Sequence, residues 1–326
     1  MKKTIWLLID NRAGSAGQLR GVAQALDSKR YEIIEKKIEY TCLAKLPNFL
    51  KGASLLGVNK IKSSDISYQF PDLVLSGSRR TAPVARWIKK QSDGKTKLLQ
   101  LMRIQNFEAK DFDLVVVPEH DRRPQHPENF MFITGSPHRV TEKAMAEAKA
   151  KWESSFAHLP RPFTTVIIGG AIKGKPFSLE NAKRLADEIK KIHAQTGGSI
   201  LITDSKRTGE KAETFIMNEL KGIPAYTYLW GEKKENPIMG FWACGDRILV
   251  TGDSVSMSCE SCGSGKPVLI FTGEKWLTPK HLRFVQSLFD DGYAIACDAP
   301  DALDFKPQKR LDPAMFVAEA INQLFN

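Results

Sequence analysis

Thr251-Gly252-Asp253-Ser254-Val255-Ser256-Met257-Ser258-Cys259-Glu260-Ser261-Cys262-Gly263-Ser264-Gly265-Lys266-Pro267-Val268 separates two short apolar runs, and its reading decides the fold. Arg247-Ile248-Leu249-Val250 before it is β-prone, Gly252-Asp253-Ser254 supplies a turn and an N-cap, and a helix follows. Gly263 and Gly265 end that helix, and Lys266-Pro267 lead into a second strand, Val268-Leu269-Ile270-Phe271. The unit is β-α-β. A helix that opens at the carboxyl end of a parallel strand presents unpaired N–H groups and a partial positive charge, which together favour an anion. Glu260, almost two turns in, is placed to reach sugar hydroxyls. A plain α/β connection, in which Asp253 and Ser254 only cap the helix, fits the same residues about equally well.

The same alternation runs outward along the chain. Strands are expected at 4–9, 32–38, 72–75, 97–101, 114–117 and 130–133, then at 164–168, 199–203, 224–228, 247–250, 267–271 and 293–296. Amphipathic helices such as 17–27 and 82–91 lie between them. Such alternation builds parallel sheets with helices on both faces, and two sets predict an α/β protein of two Rossmann-like domains. The division is expected near 141–162, where the Ala- and Lys-rich Thr141 to Phe156 ends in the stiff His158-Leu159-Pro160-Arg161-Pro162. That gives a first domain at 1–155, a second at 162–306 and a closing segment at 307–326. Ser78-Arg79-Arg80-Thr81 and Ser205-Lys206-Arg207-Thr208 each follow a strand with two cations and two hydroxyls, which suits phosphate or carboxylate recognition. The pair reads as an internal echo of a duplication, with chance the competing account of a four-residue match.

At 326 residues, 42% apolar and 26% charged, the chain has material for two ordinary cores and is not a disordered protein. Met1 to Asp10 carries an apolar run too short for a signal peptide and reads as the first strand. No stretch approaches the roughly 18 apolar residues of a membrane span, so a cytoplasmic, soluble or peripheral protein is expected. A formal charge of +11 implies an anionic partner, whether nucleic acid, an acidic membrane face or phosphorylated substrates. Zinc-finger spacing, ribonucleoprotein motifs and aromatic-interleaved basic tracts are missing, which argues against nucleic acid. Five cysteines at irregular positions form no disulfide framework. Cys259 and Cys262 lack a second ligand pair for zinc, and small buried packing explains them better than redox chemistry.

Three further loops sit at expected strand ends. Asp10-Asn11-Arg12-Ala13-Gly14-Ser15-Ala16-Gly17-Gln18 opens a helix with glycines that admit close backbone approach, yet matches neither a dinucleotide fingerprint nor a Walker loop. Gly169-Gly170-Ala171-Ile172-Lys173-Gly174-Lys175 takes the equivalent place in the second half, or is simply a tight turn. Pro118-Glu119-His120-Asp121 gathers three titratable side chains, of which one, or Asp10, is a candidate general base. A solvated, capped turn accounts for them equally.

These strings, with Phe112-Asp113-Leu114, Glu235-Asn236-Pro237 and the Asp253-Ser254-Val255-Ser256-Met257 motif, resemble in order and over nearly the whole chain the Elm-type mitochondrial fission family. That family in turn resembles glycosyltransferases of the GT-B architecture, in which two Rossmann-like domains face one cleft and the second binds the nucleotide sugar. The resemblance implies a metal-independent, cofactor-free glycosyltransferase using a nucleotide-diphosphate sugar as substrate and an envelope glycan or acidic lipid as acceptor, peripheral to the inner face of the membrane. Donor contacts are then expected from Gly169, Gly170, Lys173, Ser205, Lys206, Arg207, Thr208, Asp253, Ser254, Ser256, Met257 and Glu260. The acceptor would meet Asn11, Gly14, Gln18, Ser78, Arg79 and Arg80, with Asp10, His120 and Asp121 as catalytic candidates. The helix candidate Pro313 to Phe325 is expected to cross back onto the first domain. A nucleotide-sugar epimerase and a non-catalytic adaptor on the same scaffold are the alternative functions.

Overall fold

The computed structural model describes residues 2–325 and divides into two compact units. The first runs to Arg139 and resumes at Asp312; the second spans Val140–Leu311. The first unit contains β1 (Lys3–Ile9), α1 (Ala13–Ala25), β2 (Tyr31–Lys37), α2 (Asn48–Lys51), β3 (Leu73–Ser76), α3 (Ala82–Gln91), β4 (Lys97–Leu101), α4 (Asn106–Ala109), β5 (Leu114–Pro118) and β6 (Phe130–Ile133). All its strands are parallel, in the order β2-β1-β3-β4-β5-β6. Strands covered on both faces must be apolar on both faces, and every residue of β3 is buried. Leu19 and Val22 of α1 cover one face; Val84, Ala85 and Ile88 of α3 cover the other.

In the second unit, α5 (Glu142–Phe156) precedes β7 (Phe163–Ile167), α6 (Leu179–Thr196), β8 (Ser199–Thr203), α7 (Glu210–Glu219) and β9 (Ala225–Tyr228). Then come α8 (Ile238–Cys244), β10 (Arg247–Thr251), α9 (Val255–Gly263), β11 (Val268–Phe271), α10 (Pro279–Asp290) and β12 (Ile295–Ala296). Its parallel sheet has the order β12-β11-β10-β7-β8-β9. The chain closes with α11 (Pro313–Leu324), which lies in the first unit: Val317, Ala318 and Ile321 pack with Leu19 and Val22, and Asn322 accepts from the Tyr31 hydroxyl at 2.7 Å.

Two boundaries differ from the sequence reading. The helix at 142–156 belongs to the second unit, not to a first domain ending at 155. Its apolar face explains this, because Ala148 and Phe156 pack into one cluster with Phe163, Leu201 and Phe241, and a side chain at Gly240 would overlap Trp152. The closing segment starts at Asp312 rather than 307; Arg310 still belongs to the second unit, donating to the carbonyls of Gly263 and Val140.

The two strand orders are not copies. The first sheet reverses direction between β1 and β3, the second between β7 and β10. Ser78–Thr81 therefore follows the third strand of its sheet, whereas Ser205–Thr208 follows the second strand of the other, so the echo between them occupies inequivalent places. Its local geometry does match, since the Ser78 and Ser205 amides donate to the Thr81 and Thr208 hydroxyls at 3.1 and 3.2 Å.

Candidate functional site

Open parallel sheets bind ligands outside the carboxyl ends of the strands where the order reverses. In the second unit that point lies between the loops after β7 and β10. Thr251 ends β10, and its hydroxyl accepts from the Gly169 amide and donates to Asp253 Oδ1, both at 2.7 Å. Asp253 Oδ2 accepts from the Gly170 amide at 2.8 Å and pairs with Arg207 Nη1 at 2.7 Å. Arg207 also donates to the Ala171 carbonyl at 3.1 Å. The hydroxyls of Ser205 and Thr208 both donate to the Gly169 carbonyl. A side chain at Gly169 would overlap the Asp253 carboxylate, and one at Gly170, where φ is +154°, would overlap the Arg207 backbone. Both positions need glycine for close approach.

This wiring revises several expected roles. The amides of Gly169 and Gly170 are spent on the neighbouring loop rather than offered to a ligand, and so are the hydroxyls of Ser205 and Thr208. Asp253 is a buried tie among three loops. Burial pushes its carboxyl up, against the pull of Thr251, Arg207 and the Gly170 amide. Ser254 caps α9 by accepting from the Met257 amide at 3.4 Å. What stays open is the first turn of α9. Helix geometry leaves the Val255 and Ser256 amides without an intrahelical acceptor, Ser256 is exposed, and Lys206 and Lys173 are exposed on adjoining loops. Met257 and Glu260 are half-buried on the same helix.

Small residues on the inner face of α9 face the core. Ser258, Cys259, Ser261, Cys262 and Gly263 are buried, the Trp242 indole N–H donates to the Ser261 hydroxyl at 3.3 Å, and burial raises the Cys262 thiol well above its ordinary value. No disulfide joins any of the five cysteines. Packing, not thiolate chemistry, is the use of the Cys259–Cys262 pair.

Three residues absent from the sequence reading border this crevice. His281, in the first turn of α10, shares a 2.7 Å hydrogen bond with the Thr278 hydroxyl. Burial holds its imidazole below the ordinary value, while the charge of Asp253 acts in the opposite direction. Asp204, at the end of β8, accepts from the Trp230 amide at 2.6 Å. Burial pushes its carboxyl up to about 7, with Glu213 adding to the rise. Trp230 itself exposes its indole. None carried a motif; only the packing of α10, α7 and the loop after β9 brings them here.

In the first unit the reversal lies between the loops after β1 and β3, and a side chain at Gly77 would meet Ser15 and Leu19 of α1. Asp10 is buried; its Oδ1 accepts from the Arg12 amide at 3.1 Å, whereas Oδ2 has no hydrogen-bond partner among the described residues. The Tyr40 hydroxyl is likewise buried and unpartnered, raised in pKa first by burial and then by Asp10, with the Arg80 guanidinium 5.8 Å from its ring. Asn11 and Gly14 are exposed, Gln18 is half-buried, and Ser78 is buried in bonds to Thr81. His120 is buried on the turn after β5, its Nε2 4.0 Å from Asp121. Asp10 follows β1 and His120 follows β5, three strands away in the sheet. No cluster of metal-ligating side chains is found among the described residues, and no described helix is long and apolar enough to cross a membrane.

Two parallel six-stranded sheets, each with a reversal of strand order, define a protein of the GT-B fold. The chain belongs to the mitochondrial fission ELM1 family, whose model matches residues 13–325. It is 30% identical to the uncharacterized protein RP120 of Rickettsia prowazekii over 97% of both chains. It is also 28% identical to the mitochondrial fission protein ELM1 of Arabidopsis thaliana over 74% of this chain and 60% of that one. Among solved structures it resembles the UDP-GlcNAc 2-epimerase of Methanocaldococcus jannaschii, with a TM-score of 0.60, 12% identity and 99% of each chain covered. The UDP-GlcNAc 2-epimerase of Neisseria meningitidis bound to UDP-GlcNAc gives 0.53 at 12% identity, covering 99% and 100%. A glycosyltransferase of Rickettsia africae gives 0.50 at 13%, covering 99% and 88%. At such identities these structures establish the fold.

Proposed function

We propose that the chain is a glycosyltransferase that takes a sugar from a nucleoside-diphosphate donor held in the second unit and passes it to an envelope glycan or lipid acceptor recognised by the first. The observation that carries this reading is the first turn of α9, which is capped, carries the exposed Ser256 and follows Asp253, to which the loops bearing the exposed Lys173 and Lys206 are tied at the reversal of the sheet. The donor pyrophosphate would rest on the Val255 and Ser256 amides, where the helix dipole and the lysines stabilise charge on the departing diphosphate. Arg207 and Asp253 would hold the loop rather than touch the donor. The indole of Trp230 offers a flat apolar face to a base. In the transfer step the bond from the anomeric carbon to the diphosphate oxygen breaks, a bond to the acceptor oxygen forms, and the acceptor proton passes to a general base. Asp10, with a carboxylate oxygen that has no hydrogen-bond partner among the described residues, suits that task.

Ser256→Glu tests the reading. A carboxylate in the first helical turn favours the helix but repels a pyrophosphate, so the variant should fold with unchanged or slightly raised Tm. Wild-type protein is expected to show a thermal shift with one class of nucleoside diphosphate, and the variant none. An equal shift in both removes the donor from α9. Isomerised sugar nucleotide formed without acceptor would favour an epimerase, the activity named for two of the structural neighbours. No shift with any nucleotide would leave a non-catalytic adaptor.

A further inference from the structure

A second cationic feature lies in the first unit, extending from the loop after β3 toward those after β4 and β5. Arg79, Arg103 and Arg123, from the loops after β3 and β4 and beyond the turn after β5, line one cavity of about 150 Å³ with Ile104, Gln105 and Glu108. Glu108 does not neutralise them freely: fully buried, it accepts from Asn48 Nδ2 at 2.7 Å and from the Gln105 amide at 3.3 Å. Arg103 Nη1 is buried with no hydrogen-bond partner among the described residues, and Nη2 reaches only Asn106 Oδ1 at 3.5 Å. Burial and the Arg123 charge hold the Arg103 guanidinium below its ordinary pKa, with Asp121 opposing. A buried guanidinium nitrogen without a partner, with the exposed Arg79 and Arg123 lining the same cavity, suits an anion.

Fastened to two lining residues of this cavity, through Asn48 bonds to Glu108 and the Arg79 carbonyl, is a segment of inverted polarity. In α2, Asn48 and Lys51 are only 2% and 5% exposed, whereas Phe49 and Leu50 are 68% and 59% exposed. Leu43 and Leu46, in and just after the preceding 3₁₀ turn, are exposed as well. A water-facing turn does the reverse. The buried polar groups act as fasteners: Lys51 Nζ donates to the Ala44 carbonyl at 3.3 Å, and Asn48 Nδ2 donates to the Arg79 carbonyl at 2.8 Å as well as to Glu108. From Thr41 to Ser64 the chain has four lysines and no acid, and Lys45, Lys60 and Lys62 are exposed. Apolar side chains ringed by lysines fit the interface of an anionic bilayer.

We infer that the first unit docks on an anionic bilayer through Leu43, Leu46, Phe49 and Leu50 and takes the phosphate headgroup of a lipid into the Arg79–Arg103–Arg123 cavity. As a statement about the acceptor it rests on the transfer reading above and names that acceptor's class, a phosphorylated lipid. Lipid binding itself is independent of that reading and is measured without donor.

The test is co-sedimentation of the full chain with vesicles of phosphatidylcholine alone, with added phosphatidylglycerol, and with added phosphatidic acid. Wild-type protein should bind phosphatidic acid vesicles best and neutral vesicles least. Arg103→Gln with Arg123→Gln should cost the phosphatidic acid vesicles about tenfold or more in affinity and bring them level with phosphatidylglycerol. Phe49→Ser with Leu50→Ser should weaken binding to both anionic vesicles about tenfold while leaving Tm unchanged or raised. Any of three results overturns the inference: no vesicle binding, a phosphatidic acid preference that survives the arginine changes, or a dimer in solution that the Phe49 and Leu50 changes dissolve. Nucleotide thermal shifts on the same variants separate the two proposals, because loss of donor binding leaves the lipid result standing, and the converse holds.

Discussion

The reversal crevice of the second unit is closed upon itself, whereas that of the first is left unfinished. After β7 and β10, a buried carboxylate, an arginine, two glycine amides and three hydroxyls satisfy one another, and the open groups lie outside that knot on the first turn of α9. In the first unit, Asp10 Oδ2 after β1 and the Tyr40 hydroxyl after β2 are buried without hydrogen-bond partners among the described residues. The lesson concerns rigidity and chemistry. A ligand that must be held against a helix needs fixed loops, and internal hydrogen bonds fix them. A group that must exchange a proton cannot have its lone pairs already engaged.

The largest effect should come from Gly170→Ala. Its added carbon would overlap the backbone of Arg207 and Thr208 at a φ that disfavours side chains, so a loss of about 3 kcal/mol or more is expected in urea unfolding, with nucleotide binding lost as well. A fully stable variant would mean that the knot is looser than its hydrogen bonds imply. Next comes Arg207→Ala. It leaves the Asp253 carboxylate buried without its cation, and because Arg207 is itself partly exposed the cost is set at about 2 kcal/mol. In an Asp253→Asn background the same change should cost less than about 1 kcal/mol. Equal costs in both backgrounds would break the pairing argument.

A pH slope is expected at the end of β8, beside the same loops. Asp204, raised to about 7, binds its proton more tightly folded than unfolded, where an aspartate titrates near 3.9. The stability it contributes is therefore complete below about pH 4, is lost as pH rises through about 7, and changes no further above it. Asp204→Asn should flatten that decline, so urea midpoints at pH 5 and pH 8 should differ less in the variant than in wild type. The opposite sign would show Asp204 to be ionised and stabilised in the fold.

The strands were legible because period and composition are local. Leu114-Val115-Val116-Val117 is a buried strand in any parallel sheet, and the observed ends fall close to those expected. The helix at 142–156 was legible as a helix but not as a member of the second unit, since only its partner Phe241, far along the chain, decides which core it enters. The site was half legible. Turns rich in Gly, Ser and Asp at strand ends announce a crevice, but they do not tell a residue that binds a ligand from one that binds the next loop.

From the sequence alone came the alternation of strands and helices, the two sheets, and the capped helix at Ser254, because each depends on neighbours a few residues apart. The tertiary structure decided the rest. It turned Gly169, Gly170, Ser205, Thr208 and Asp253 toward one another, and put Asn48 and Lys51 inside with Phe49 and Leu50 outside. A polar group is spent or available according to the partners that long-range packing delivers, and those partners lie tens of residues away.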